Sequence, residues 1–359
     1  MKEIKTLELQ AIQLLKGLIQ ITSFSREEYE TASLLAQWMQ DQRIESQRKG
    51  NNVWAFHAAY DASKPTVLLN SHHDTVKPNA GYTKDPFAAI EEAGKLYGLG
   101  SNDAGGCLVS LWASFSYFHQ QELPVNLLFA ATAEEEISGA NGISSLLEDW
   151  PNIDFALVGE PTQMQMAVAE KGLMVIDAEV KGVAGHAARE EGENAIYKAL
   201  ADLQKIAQFE FKKVSEFLGK SKVSTTMISA GSQHNVVPDS CQYTLDVRVT
   251  DAYSLEEALA ELKEQLAAEL KPRSMRLQPS QLSKHHLAFK LADQLDIPTF
   301  GSATLSDQAL LPCPSIKIGP GDSARSHTAD EFIYIEEIKA GITKYIQLLE
   351  AYFEASTLK

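Results

Sequence analysis

Thr66-Val67-Leu68-Leu69-Asn70-Ser71-His72-His73-Asp74 decides how the chain is read, because a short apolar run passes without a break into a polar, metal-capable cluster. Such a run, bounded by polar residues, is the pattern of a strand covered on both faces. Three other stretches repeat it. Val125-Asn126-Leu127-Leu128-Phe129-Ala130 leads into Thr132-Ala133-Glu134-Glu135-Glu136, and Phe155-Ala156-Leu157-Val158 leads into Gly159-Glu160-Pro161. Ser315-Ile316-Lys317-Ile318 leads into a glycine-rich loop that ends at Ser326-His327. Open α/β sheets gather their sites beyond the carboxyl ends of the strands, so four runs ending in His or Glu predict one convergent site. Any single run of this kind more often ends in a plain turn.

Outward from these runs, short apolar segments alternate with longer amphipathic ones, which predicts an α/β protein. Residues 177–279 differ. They hold strand-like 174–180, 223–228 and 241–249, whose partial alternation suits a sheet with one covered face, and helices over 195–208 and 255–270. This predicts an inserted α+β domain at 177–279 within a discontinuous domain formed by 1–176 and 280–359. A final helix is expected over 335–353, and Leu7, Ile12, Leu15 and Ile19 mark an amphipathic helix at the start.

Composition narrows the function. The chain has 359 residues, 44% of them hydrophobic and 22% charged, the balance of an ordinary globular protein of about two domains. With 32 basic against 48 acidic side chains the formal net charge is -16, which disfavours nucleic acid and anionic membrane surfaces as partners. Cys107, Cys241 and Cys313 are scattered and odd in number, so no disulfide framework is expected. No stretch reaches the roughly 18 consecutive apolar residues of a membrane span, and the N-terminal segment, interrupted by Glu3, Glu8 and Lys16, is unlike a signal peptide. The cytoplasm is the expected location.

Three clusters carry chemistry. His72-His73-Asp74 contains a His-x-Asp pair, in which an imidazole can bind a metal while a carboxylate holds its other ring nitrogen. Adjacent histidines also arise by chance. Asp103 lies among Gly98, Gly100, Gly105 and Gly106, either in a simple loop or where its two oxygens could span two ions about 3.5–4 Å apart. Glu134-Glu135-Glu136 concentrates negative charge after a buried strand, which a cation would relieve; acidic residues at a helix N-terminus are the alternative.

In this order, His-x-Asp, a glycine-flanked Asp, Glu-Glu after a strand, Gly-Glu-Pro-Thr and a late His resemble the M20 metallopeptidases, over almost the whole chain. The resemblance implies a zinc-peptidase-like catalytic domain, a mixed sheet flanked by helices, with a ferredoxin-like inserted domain serving as lid and dimerisation surface. It implies two divalent ions, zinc foremost with cobalt or manganese as alternatives. Asp103 would bridge them, His72 and Glu160 completing one site and Glu136 and His327 the other. Asp74 would orient His72, and Glu135 would be the general base, although Glu134 stands where the family has Asp and the triple run admits a one-residue shift. A cis Asp103–Ala104 bond is also implied.

In the inserted domain, Gly185-His186-Ala187 is similar to the family motif whose histidine stabilises the oxyanion. Asn235-Val236-Val237-Pro238 and Asp246-Val247-Arg248 are similar to its substrate-contact segment and nominate Asn235 and Arg248. Arg325, beside Ser326-His327, could pair with a substrate carboxylate; either arginine could instead sit in a surface ion pair. The resemblance is best to acetylornithine-deacetylase-like members, which implies a cytoplasmic homodimer removing an acetyl or succinyl group from a small N-acyl amino acid in arginine synthesis. A dipeptidase or aminoacylase of the same family, and a non-catalytic binding protein on this fold, are the competing readings.

Overall fold

The computed structural model describes residues 3–189 and 191–357. The chain divides into two compact units, Met1–Val168 with Leu282–Phe300 and Ser306–Lys359, and Ala169–Gln281 with Gly301–Leu305.

In the first unit the strands Thr66–His72 and Asn126–Thr132 lie side by side in parallel, His72 opposite Thr132. Phe155–Val158 extends the parallel set on the other side of Thr66–His72, and Ser315–Lys317 pairs in parallel with Phe155–Val158. Asn52–Phe56 and Met166–Glu170 add antiparallel neighbours, which makes the sheet mixed. Every residue of the two central strands is buried, as their unbroken apolar runs require. One helix that covers the sheet, Gly106–Phe118, is apolar almost all round and packs against both Ile4–Ile19 and Ile335–Thr357. The mixed sheet flanked by helices is the architecture that the resemblance implied. Its parallel strands all point the same way, so their carboxyl ends deliver His72, the Glu134–Glu136 run, Glu160 and the loop to His327 to one edge.

The second unit is a β-α-β-β-α-β arrangement. Its four-stranded antiparallel sheet runs Lys222–Ala230, Ser240–Val249, Gly172–Lys181, Glu269–Pro272, which is the ferredoxin-like order. Met174, Ile176, Tyr243, Leu245 and Val247 form its core with Ala199 and Leu262 from the two helices. Asn194 caps the helix Ala195–Ala207, and Ser254 with Glu257 forms a capping box on Leu255–Gln265.

The helix expected over 255–270 stops at Gln265, and Glu269–Pro272 is an edge strand instead. The cause is Asp202, whose buried carboxylate accepts the backbone N–H groups of Ala267 and Ala268 and turns the chain out of the helix. The three cysteines are free, and no helix among the described residues is long and apolar enough to cross a membrane.

Candidate metal centre

His72 closes its strand with its side chain only 1% exposed. Its Nδ1 donates to the backbone carbonyl of Asp74 at 3.0 Å, which fixes the tautomer and turns Nε2 toward the strand ends. Buried Nε2 has no hydrogen-bond partner; its carboxylate neighbours are Asp103 Oδ1 at 3.4 Å and Glu135 Oε2 and Glu160 Oε1, both at 3.8 Å. His73, by contrast, is fully occupied, between the Thr31 hydroxyl and the Asn51 carbonyl, and burial pushes its pKa down to about 4.

Asp103 sits in the turn Ser101–Gly105, and the Asp103–Ala104 bond is cis. Its two oxygens face different histidines: Oδ1 faces His72, and Oδ2 lies 3.7 Å from His327 Nε2. His327 Nε2 in turn meets Glu136 Oε2 at 2.9 Å. Ligand atoms of His72, Asp103 and Glu160 lie within 4.8 Å of one another, and so do those of Asp103, Glu136 and His327. The five side chains nominated as ligands therefore form two trios that share one carboxylate.

These residues fit two divalent ions. An orphaned imidazole nitrogen in a ring of carboxylates is costly unless a cation occupies the space between them. The donor set of imidazole nitrogen and carboxylate oxygen suits zinc and its neighbours in the first transition row.

Glu134, Glu135 and Glu136 prove physically distinct. Glu134 adopts φ 55° and turns its buried carboxylate back onto Asn141. Glu135 and Glu136 open a short turn whose N–H groups donate to Asp74 at 3.0 and 3.2 Å. Asp74, completely buried and also bonded by the Ser25 hydroxyl, thus ties the His72 strand to the turn that bears Glu135 and Glu136. Burial above all raises the Glu135 carboxyl well beyond the usual range; His72 opposes this, while Glu160, Asp307 and Glu136 add to it. The Glu136 hydrogen bond, partly offset by burial, lifts His327 to about 9.

Three buried side chains at this edge went unread in the sequence. Glu331 accepts the N–H groups of Gly100, Asn102 and Asp103 at 3.1, 2.9 and 2.9 Å, and burial with the charge of Asp103 raises it to about 8. Asp307 bridges Thr132 Oγ1 and Asn70 Nδ2 across the two central strands. Asn102 pairs with the main chain of Asp322. Glu331 and Asp307 lie more than 170 positions from the groups they hold, and no spacing rule announces them. Asn102 carried a faint signal as a polar neighbour of Asp103 in a glycine loop.

Of the nominated substrate contacts, Arg325 gives both terminal nitrogens to Glu337 at 2.7 and 2.8 Å and lies against the rings of Phe332 and Tyr334. Arg248 is bound in the same forked manner by Asp246. His186 and Asn235 are exposed neighbours in the second unit, where His186 pairs with Val236 and the Ala187 N–H donates to the Asn235 carbonyl.

The sequence profile of peptidase family M20/M25/M40 matches residues 68–351. The acetylornithine deacetylase of Proteus mirabilis (strain HI4320) is 26% identical, over 82% of this chain and 81% of its own length. Succinyl-diaminopimelate desuccinylase 2 of Ruegeria sp. (strain TM1040) is 25% identical over 95% of each chain. Among solved structures, YXEP of Bacillus subtilis, described as a dinuclear metal-binding peptidase of the M20 family, superposes with a TM-score of 0.75 at 17% identity, covering 98% of this chain and 99% of its own. The chain belongs to peptidase family M20/M25/M40, and its activity is that of a hydrolase.

Proposed function

We propose that the protein is a two-metal amidohydrolase that removes an acetyl or succinyl group from a small N-acyl amino acid, of the acetylornithine or acetylcitrulline kind used in arginine synthesis. The observation that carries the reading is Asp103, with one oxygen toward His72 and the other toward His327. The names of the Proteus and Ruegeria relatives support the acyl-amino-acid choice.

Zinc is the proposed metal: His72, Asp103, Glu160, Glu136 and His327 would hold two ions, which would supply Lewis acidity and bring the pKa of the attacking water toward neutrality. Glu135 takes that water's proton and returns it to the departing amine, a task suited to its raised pKa. Asp74 holds the Glu135 main chain, and with it the base, in register with His72. His186 is assigned to the carbonyl oxygen as negative charge develops on it. Asn235, Arg248 and Arg325 are assigned to the substrate; the two arginines must first exchange Asp246 and Glu337 for a substrate carboxylate.

A homodimer through the inserted domain is part of the proposal, with the cytoplasm as its setting. Its support is the edge strand Lys222–Ala230, where Met227 and Ile228 are 64% and 56% exposed, beside a helix that exposes Tyr197 at 72%. Light scattering on Ile228→Lys should then report a monomer where the native chain is a dimer.

The second reading, a dipeptidase, draws on the peptidase description of the Bacillus structure. Initial rates with zinc, cobalt or manganese on N-acetylornithine, N-acetylcitrulline, their N-succinyl counterparts and simple dipeptides decide between them. Preference for an acyl amino acid supports the proposal, and preference for dipeptides discards it.

A further inference from the structure

His327, unlike His72, Glu136 and Glu160, does not closely follow a strand of the central sheet. It follows a loop that leaves Ser315–Lys317, passes Gly321 at φ +91°, and reaches His327 at φ 61° with its side chain 53% exposed. Something other than the sheet must set its position.

Asn102 has the required connections. It is completely buried and adjoins Asp103 in the chain. Its Oδ1 accepts the Asp322 N–H at 3.0 Å, and its Nδ2 donates to the Asp322 carbonyl at 3.0 Å, a reciprocal pair that uses both arms of one amide on the main chain of one residue. The same Nδ2 lies 3.4 Å from the hydroxyl of Ser326, the residue before His327. Asn102 is itself held, since its own N–H and that of Asp103 both donate to the buried Glu331 carboxylate.

The other ties on the loop differ in kind: the Gln163 N–H donates to the Gly321 carbonyl and Gln163 Nε2 to Asp322 Oδ2, both at 2.7 Å, and the Thr162 N–H donates to the Gly319 carbonyl at 3.2 Å. Asn79 Nδ2 reaches the His327 carbonyl at 3.2 Å from an exposed turn, and Arg325 binds Glu337 in the C-terminal helix. None of these bonds reaches the turn that bears Asp103; the Ser326 side chain, which hydrogen-bonds Asp103, is the one other link to it among these.

We propose that Asn102 is a positioning residue for one ion of the pair: it docks the His327 loop onto the Asp103 turn, so its loss weakens the Asp103–Glu136–His327 site and spares the His72–Asp103–Glu160 site. This rests on the two-ion reading. The asymmetry follows from the scaffolds, because His72 and Glu160 leave the ends of adjacent buried strands and need no such dock.

The test is a cobalt(II) titration of metal-free protein, read by visible absorption and by elemental analysis after dialysis. Asn102→Ala removes the dock from one side. Gly321→Ala attacks it from the other, since a Cβ there would stand 2.5 Å from Asn102 Oδ1. The native chain should take up two ions. Each variant should bind one ion as the native chain does, with the dissociation constant of the other raised at least about tenfold, the usual scale for losing a residue that orients a ligand.

If both variants bind two ions with native affinity, the inference is overturned and the two-ion reading stands. A native chain that takes up no cobalt defeats that reading itself. Equal loss of both ions, or a metal-free fold that melts far below the native one in both variants, makes Asn102 a general packing residue and also overturns the inference.

Discussion

His72 and His327 face opposite oxygens of one carboxylate, Asp103, but are built in opposite ways. His72 ends a fully buried strand, its ring fixed by the Asp74 carbonyl and its side chain 1% exposed. His327 sits on a loop, more than half exposed, and reaches Asp103 and Glu136 only through side-chain ties. The comparison separates two ways of placing a proposed ligand. One half-site is positioned by the hydrogen-bond ladder of a parallel sheet, which forms with the core. The other is positioned by a few polar contacts that can be removed without touching the core.

The largest effect that can break this picture concerns the turn between the halves. Glu135→Gln should lower turnover by about 10²–10⁴-fold while leaving metal content near native, as expected for loss of a proton carrier. Glu136→Ala should instead lose the ion shared with His327. Elemental analysis beside steady-state rates separates the two, and exchanged outcomes would move the assignment one residue along the run.

A smaller change sharpens the comparison. Asp74→Ala removes the carboxylate that accepts both turn N–H groups, and it should cost about 10–100-fold in activity or metal affinity. Because Asp74 ties one half to the other, both ions should weaken. Loss confined to the His327 ion would show the strand-end half to be self-sufficient.

The smallest effect comes from the far end of the same sheet and serves as a control. His57 Nδ1 accepts the Leu127 N–H where its strand begins, and burial, with His119 and Lys64 nearby, lowers its pKa from 6.5 to about 4. The unfolded chain therefore binds a proton that the folded chain refuses, so this stability is complete above 6.5 and lost as pH falls through 4. The melting temperature of metal-free protein should drop across that window, and less steeply in His57→Gln. An identical slope in the variant would remove His57 from the account.

What the sequence made legible follows the same division. His72, Glu160 and the glutamate run stand at the ends of apolar runs, so strand patterning and the order of motifs pointed to them. An α+β insert was readable from alternation such as that of Cys241 to Val249, and its ferredoxin-like form only through the family resemblance. Asn102, Glu331 and Asp307 were not, because their work is done across loops and strands brought together only by folding. Helix periodicity ran past Gln265 because the capture of Ala267 and Ala268 by Asp202 is a tertiary event. For Arg248 and Arg325 the sequence left substrate contact and ion pair both open; Asp246, two residues from Arg248 on one strand, was within reach of a local reading, whereas Glu337 meets Arg325 from the C-terminal helix.

Anomalous X-ray diffraction from crystals grown with zinc tests the central claim most directly. The account predicts two peaks about 3.5–4 Å apart, one between His72 and Glu160, the other between Glu136 and His327, with Asp103 contacting both. A single peak that Asp103 does not touch, or two peaks outside these five side chains, would contradict it.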